Sequence, residues 1–171
     1  MIDCDVNVVE PGELSSLVVD TLTDVERLVA LEEIRLLKAR RDRFVDTKDW
    51  EALEALHAPD HHSYNDDYAP WETAAEMIAN VRVIMAGLRT AHHSHTPEIT
   101  FESSTRASGI WAMNGVSMWD QGAEEHWFIA FGHYFETYEK RDGRWVFTSR
   151  RLTYLFSKSS PGAIFPPPSR H

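Results

Sequence analysis

The chain has 171 residues, of which 43% are apolar and 11% aromatic, a composition typical of a globular domain and too apolar for a disordered protein. One domain of this length can bury a continuous core and still leave a pocket inside it. The chain has 17 Lys and Arg residues and 27 Asp and Glu residues, which gives a net charge of −10. This charge disfavours binding to nucleic acids and anionic membranes.

Residues 1–22 are predicted to form a leader outside the folded domain. They include the acids Asp3, Asp5 and Glu10 and lack the basic start and apolar run of a secretory signal. The chain also has no apolar stretch of about 18 residues, the length that a membrane-spanning helix needs. The single cysteine, Cys4, permits no intramolecular disulfide, and together these features predict a cytoplasmic protein.

The first predicted helix covers residues 24–46. Thr23 and Glu26 have the spacing of a capping box, in which each side chain accepts a hydrogen bond from the other residue's backbone. Apolar residues recur behind this cap with mostly helical spacing, which predicts one buried face. They are Val25, Leu28, Val29, Leu31, Ile34, Leu36, Leu37, Phe44 and Val45, and charged residues such as Lys38 fall largely between them.

Two further helices are predicted in the first half of the chain. Asp49 is a suitable N-cap for a short helix through His57, which Pro59 ends because proline cannot continue the helical hydrogen bonds. The polar segment 61–70 is predicted to be irregular or a short strand. Apolar spacing then predicts a helix over 71–87 that ends at a glycine.

From residue 90 onward the periodicity changes to that of strands. Segments rich in aromatic and β-branched residues predict strands over 91–103, 106–119, 125–139 and 144–157. The sequence Arg141-Asp142-Gly143 between the last two strands is typical of a hairpin turn. We therefore predict an α+β fold, a cone-shaped barrel in which three N-terminal helices pack on a strongly curved antiparallel sheet.

The predicted domain covers residues 23–157. A proline-rich tail, residues 158–171, follows it and contains too many prolines for a helix or a central strand. We expect this tail either to be loose or to lie across a neighbouring subunit.

Histidines cluster at the start of the sheet, at His92, His93 and His95, which raises the possibility of a metal site. The spacing of His93 and His95 resembles the start of a cupin metal motif, but Glu98 follows too soon and the second, proline-containing motif is missing. Glycine patterns for nucleotides and the elbow of a serine hydrolase are also missing from the sequence. We therefore expect no metal and no organic cofactor.

Asp46, at the end of the first helix, and His93, on the first long strand, form the candidate catalytic pair. A carboxylate that orients an imidazole is a simple device for removing a proton near neutral pH, because histidine titrates there and the carboxylate fixes its tautomer. The alternative is structural: Asp46 belongs to a helix cap or is solvated, and the histidine satisfies a buried carbonyl.

Three segments resemble SnoaL-like proteins of the nuclear transport factor two superfamily. Residues 31–36 and 44–53 are similar to the helical opening of that family, and residues 138–145 are similar to its last hairpin. The likeness extends over about residues 22–157. It implies the cone-shaped fold.

Within the superfamily the chain is similar to a branch that contains scytalone dehydratase, lindane dehydrochlorinase and bile-acid 7α-dehydratases. In that branch an Asp at a helix end orients a strand histidine, which is the general base of an elimination. The resemblance places these roles on Asp46 and His93, and it places the branch's final-strand arginine on Arg150. It also places a pocket residue on Arg41, five residues before the Asp. We expect Arg150 to hold Asp46 ionised or to stabilise developing negative charge.

The choice among the histidines depends on strand register, because a slip of one residue moves a side chain to the other face. His93 and His95 share one face and His92 takes the other. Counting back from Thr96-Pro97 in the family pattern selects His93, with His95 as the alternative.

Three tyrosines, Tyr64, Tyr134 and Tyr154, are candidates to line the pocket and to donate to an oxyanion or a leaving group; the alternative for each is a structural core position.

These residues predict a cofactor-independent lyase, of the dehydratase type, that acts on a hydrophobic ring or polycyclic substrate. The alternatives are a polyketide cyclase or isomerase that abstracts a proton in the same way, and a noncatalytic ligand-binding or accessory protein. We also expect a homodimer or homotrimer, because the convex face of the sheet needs cover. The aromatic residues predicted on that face are Trp111, Trp119, Trp127 and Phe131.

Overall fold

The structure, a computed structural model, describes residues 22–65 and 68–164. Its elements, in chain order, are α1 (Asp24–Thr47), α2 (Trp50–Glu54), β1 (His57–Asn65), β2 (Tyr68–Trp71), α3 (Ala74–Ile84), β3 (Arg89–Phe101), β4 (Arg106–Gln121), β5 (Glu124–Arg141) and β6 (Arg144–Ser159). Of the predicted leader only Leu22 lies within the described residues, and the predicted tail is described as far as residue 164.

Helix α1 begins where the sequence predicts. The Thr23–Glu26 capping box is present, and Lys48 ends the helix in the left-handed conformation with φ 62°. Its buried face differs from the prediction, because it includes the charged residues Lys38, Arg41 and Asp42.

Four apolar residues that were expected on the buried face of α1 are instead exposed to solvent. They are Val25, Leu28, Val29 and Leu36.

The middle of the chain departs from the predicted helices. Helix α2 ends at Glu54, so His57 belongs to β1 rather than to a helix, and the polar segment 61–70 is largely strand. Helix α3 is shorter than predicted because Thr73 caps its first turn. Within 22–65 and 68–164 no helix is long and apolar enough to cross a membrane.

Six strands form one curved sheet in the order β2-β1-β6-β5-β4-β3. The four long strands pair antiparallel, as predicted, and Gly143, with φ 75°, forms the turn between β5 and β6. The sheet as a whole is mixed rather than antiparallel, because β1 runs parallel to β6. The sheet does not close, since β2 and β3 form its two edges.

The concave face of the sheet carries the core, and α1 lies across it. Side chains alternate along the strands, so Trp111 of β4 and Tyr134 and Tyr138 of β5 point inward and are buried. The prediction that Trp111 and Trp119 lie on the convex face is wrong, since both are buried; Trp119 has the same strand parity as Trp111.

Candidate active site

Asp46, in the last turn of α1, contacts the first histidine of the β3 cluster. Its Oδ1 lies 2.7 Å from Nδ1 of His92, and its Oδ2 accepts a hydrogen bond of 2.9 Å from the His92 backbone N–H. The two side chains are 23% and 14% exposed, respectively, so both are shielded from solvent but not sealed. Asp46 therefore holds His92 at two points, the ring and the backbone.

The hydrogen bonds around Asp46 keep its carboxylate ionised. Thr90 Oγ1 donates to Oδ1 over 2.8 Å, and Lys48 Nζ in turn donates to Thr90 over 3.0 Å. Burial raises the pKa of Asp46, but the hydrogen bonds from His92 and Thr90 outweigh it and leave the pKa below its usual value. Because an ionised Asp46 can only accept at this contact, His92 carries a proton on Nδ1, and in the neutral ring Nε2 is the nitrogen that can take up a proton.

The predicted contact between Asp46 and His93 is wrong by one residue. His93 is exposed on the convex face, opposite Asn114 of β4, while His92 and Ser94 point toward α1. His95, the alternative, places its Nε2 2.7 Å from the side-chain oxygen of Asn114. The physical reason is a bulge between Ser94 and Pro97, which inverts the alternation of β3.

Small residues form the sheet surface beside the base. His92 pairs with Gly115 of β4, which pairs in turn with Ala130 of β5. A Cβ added at Gly115 would lie 3.6 Å from Cδ2 and 3.9 Å from Nε2 of His92, so the edge of the ring that carries the base lies against this glycine.

A cavity of about 320 Å³ opens between α1 and β3, and neither Asp46 nor His92 lines it. Asp42 and Ser94 line it, and Ser94 Oγ donates to Asp42 Oδ2 over 2.6 Å. Asp42 lies one helical turn before Asp46, and Ser94 lies two residues after His92. The Asp42–Ser94 contact therefore repeats the Asp46–His92 contact one turn earlier on α1 and two residues later on β3. The cavity therefore lies one helical turn from the pair, toward the middle of α1.

Lys38 forms the deep wall of this cavity and is fully buried. Its Nζ lies 2.5 Å from Oε1 of Glu136, whose other oxygen accepts a hydrogen bond of 2.7 Å from Tyr138. Trp111 Nε1 donates to the Tyr138 hydroxyl over 2.7 Å and completes the chain. Burial lowers the pKa of Lys38 to about 8, although the carboxylates of Glu136 and Asp42 oppose this shift.

Arg41 and Arg150, both predicted site residues, lie in the interior around Tyr134. Their guanidinium carbons are 5.6 Å and 4.1 Å from the centre of its ring. Arg150 was expected to hold Asp46 ionised or to stabilise developing charge. Its carboxylate neighbour is instead Glu136, with Nε 3.8 Å from Oε1, so the first of these two roles belongs to the hydrogen bonds around Asp46.

Two buried histidines, His57 and His61, stack edge to face beside this cluster, with ring centres 4.6 Å apart. Burial first, and then the charge of Arg150, lowers the pKa of His61 to about 3. Burial and the adjacent ring likewise lower the pKa of His57. Both rings are therefore neutral in the folded protein at neutral pH.

Neutral His61 makes the fold sensitive to acid. Because its folded pKa is lower than its unfolded value of 6.5, only the unfolded chain takes up the proton between pH 6.5 and about 3, so stability falls as the pH falls through this range. We expect a loss of about 1.4 kcal/mol per pH unit well below 6.5 from this residue. Urea unfolding at several pH values should show a shallower slope for His61→Phe, whereas His93→Gln, at an exposed position, should keep the wild-type slope. Equal slopes for wild type and His61→Phe would contradict the assignment.

The other two predicted tyrosines are exposed. Tyr64 is 45% exposed and lines a groove on the convex face with Phe135 and Arg151, because β1 pairs with β6 in the register that turns Tyr64 outward. Tyr154 is 38% exposed near the end of β6, next to a bulge. Only Tyr134 occupies the interior position expected of a pocket tyrosine.

Four residues around the site are not among those predicted from the sequence: Lys38, Asp42, Ser94 and Glu136. The two in the helix have a pattern that could have indicated them, since Lys38, Asp42 and Asp46 recur every four residues and so share one face of α1. A charged stripe at that spacing is more often solvated, and only the position of α1 across the sheet shows that this one is buried.

The fold is found in several solved structures at low identity. A candidate scytalone dehydratase from Novosphingobium aromaticivorans superposes with a TM-score of 0.73 at 23% identity, covering 80% of this chain and 91% of that one. A type-3 hexachlorocyclohexane dehydrochlorinase from Novosphingobium barchaimii superposes with a TM-score of 0.71 at 19% identity, covering 85% and 100%. At these identities the likeness shows the fold.

The family is shown by the sequence itself. Residues 26–151 match the family model of the SnoaL-like domain, and this range contains α1 from residue 26 onward, the whole of β3 and the Asp46–His92 pair. The chain therefore belongs to the SnoaL-like family of the nuclear transport factor two superfamily.

Proposed function

We propose that the protein is a cofactor-independent lyase in which His92, oriented by Asp46, removes a proton from carbon. The observation that carries this proposal is the double contact of Asp46 with the ring and backbone of His92. It fixes the ring orientation and the tautomer that a general base needs.

In the proposed reaction, Nε2 of His92 takes a proton from a carbon next to an activating group of a hydrophobic ring substrate. The imidazolium that forms is stabilised by the ionised Asp46, and a leaving group on the adjacent carbon departs with its bonding electrons. For a dehydration the leaving hydroxyl takes a proton from the His92 imidazolium as its carbon–oxygen bond breaks, so that water departs and the imidazole returns to its neutral form. In this proposal Asp42 and Ser94, which line the cavity one helical turn away, hold a polar group of the substrate.

The named relatives support this reaction class. One relative is a candidate dehydratase and another is a dehydrochlorinase; enzymes of these two kinds eliminate water and hydrogen chloride respectively, and both relatives share this fold. An isomerase or cyclase would use the same first step without losing a leaving group, so the first step and the elimination need separate assays.

Exchange of an acidic carbon–hydrogen bond tests the first step. The ring ketone 2-tetralone, incubated in D₂O, should incorporate deuterium faster with the protein than in buffer alone, as measured by mass spectrometry. Hexachlorocyclohexane and scytalone then test the elimination, through chloride release and loss of water from the product mass. Buffer-rate exchange together with no product from either probe would contradict the proposed function, and exchange without elimination would favour the isomerase.

We also propose that the convex face of the sheet is covered by a second copy of the chain. Phe131, Phe135 and Phe156 are exposed there, and the nearby groove carries both Glu98 and Arg151, which a two-fold partner can match. Phe135→Glu should convert an oligomer to a monomer in sedimentation experiments. Val83→Glu, on an exposed apolar residue of α3, is the matched control. A wild-type monomer would contradict this proposal.

A further inference from the structure

Three cations converge on one tyrosine inside the cone. Nζ of Lys38 lies 3.9 Å from the centre of the Tyr134 ring, and the guanidinium carbons of Arg150 and Arg41 lie 4.1 Å and 5.6 Å from it. Lys38 is 1% and Arg41 is 4% exposed, and the Arg150 side chain is 14% exposed. The interior around Tyr134 therefore concentrates positive charge away from water.

The carboxylates nearby do not match these cations one to one. Glu136 is bound by Lys38 at 2.5 Å and by the Tyr138 hydroxyl, which leaves Arg150 at 3.8 Å from the same carboxylate. Asp42 accepts from Arg41 over 3.3 Å and from Ser94. Three cations thus share two carboxylates, while Asp46 is occupied by His92.

Both arginines also have an unsatisfied donor. The Nε atoms of Arg41 and Arg150 are buried and have no hydrogen-bond partner among the described residues. A buried charged donor that makes no hydrogen bond is costly, and the neutral rings of His57 and His61 supply no negative charge. An anion placed between the guanidinium groups would satisfy both the donors and the charge.

We propose that Arg41 and Arg150 form an anion-recognition subsite that binds a carboxylate of the substrate. This inference rests on the proposed function and narrows it: the substrate class is a hydrophobic ring compound that carries a carboxylate. Arg41 lies five residues before Asp46 on α1, about 7.5 Å along the helix axis, so the carboxylate and the reacting carbon belong to different ends of the ligand.

Binding of a simple probe tests the subsite without turnover. Benzoate, titrated in chloride-free buffer by calorimetry, should bind the wild-type protein at least tenfold more tightly than benzamide, its neutral counterpart. Arg41→Gln and Arg150→Gln should each weaken benzoate binding at least tenfold. Arg40→Gln and Arg144→Gln, which remove the same charge from exposed positions, should leave it unchanged. Equal affinity for the two probes, or equal weakening in the exposed variants, would overturn the proposal.

A measurement on the wild-type protein covers the case in which the interior variants do not fold. Crystals soaked with 4-iodobenzoate should show the iodine by anomalous scattering inside the cone, with the carboxylate within hydrogen-bonding distance of Nε or Nη of both arginines. Iodobenzoate found only outside the cone, or not bound at all, would overturn the proposal.

The His92→Gln variant separates this inference from the proposed function. It should lose proton exchange but bind benzoate as the wild type does. If exchange depends on His92 while benzoate fails to bind at the arginines, the lyase proposal stands and the anion subsite is rejected. If benzoate binds there but no proton is exchanged, the subsite stands and the lyase proposal fails.

Discussion

Replacing His92 with Gln is expected to lower the rate of the proton-transfer reaction by about 10²- to 10⁴-fold, the usual contribution of a general base. Gln keeps a polar side chain of similar length but has no nitrogen that can accept the proton. Asp46→Asn should also lower the rate strongly, because the amide neither holds Nδ1–H in place nor stabilises the imidazolium. The rate of deuterium incorporation into 2-tetralone measures both effects.

His93→Gln is the matched control, because it removes the same chemical group from the adjacent, exposed position. Its rate should stay within about twofold of the wild type, since an exposed substitution of this kind leaves the proton-transfer site unchanged. A large loss in His93→Gln with little loss in His92→Gln would reverse the assignment of the base.

Replacing Glu136 with Gln is expected to destabilise the fold by about 3–5 kcal/mol, because it leaves the buried ammonium of Lys38 without its closest carboxylate. Arg41 and Arg150 would then add to the uncompensated positive charge. Lys38→Met should cost less, since Arg150 already lies 3.8 Å from Glu136 and can replace part of the lost interaction. Urea unfolding at neutral pH gives both free energies of unfolding.

The double variant Lys38→Met with Glu136→Gln should be more stable than the sum of the single effects predicts, because it removes both members of a coupled pair. Glu32→Gln is the control on the surface of α1, where Glu32 and Arg35 are 64% and 46% exposed and 3.9 Å apart; it should cost less than about 1 kcal/mol. Additive single effects, or a cost for Glu136→Gln no larger than that for Glu32→Gln, would show that the buried pair is not coupled.

Local signals predicted the parts of the fold that local interactions determine. The capping box at Thr23 and the hairpin glycine at Gly143 depend on neighbours in the chain, and both are confirmed. The parallel pairing of β1 with β6 depends on a partner some 90 residues away. The segment that forms β1 is polar and contains Pro59, so it carries neither the alternation nor the composition of a strand.

The site was predicted on the correct helix and strand but on the wrong face of the strand. Counting back from Thr96-Pro97 in the family pattern selects His93. In the structure, however, three residue steps on β3, from Ser94 to Pro97, oppose two steps on β4, from Met113 to Trp111. That extra residue inverts the alternation and turns His92, rather than His93, toward Asp46. A bulge of this kind has no signature in a single sequence.

The protonation of the His92 ring tests the central claim most directly. In the protein labelled with ¹⁵N at histidine, NMR at a pH where His92 is neutral should show the proton on Nδ1. The signal of this proton should exchange slowly with water, as expected for a hydrogen bond to a carboxylate. The signal should be lost in Asp46→Asn and kept in His93→Gln. A His92 ring that carries its proton on Nε2, or is unaffected by Asp46→Asn, would contradict the proposed base.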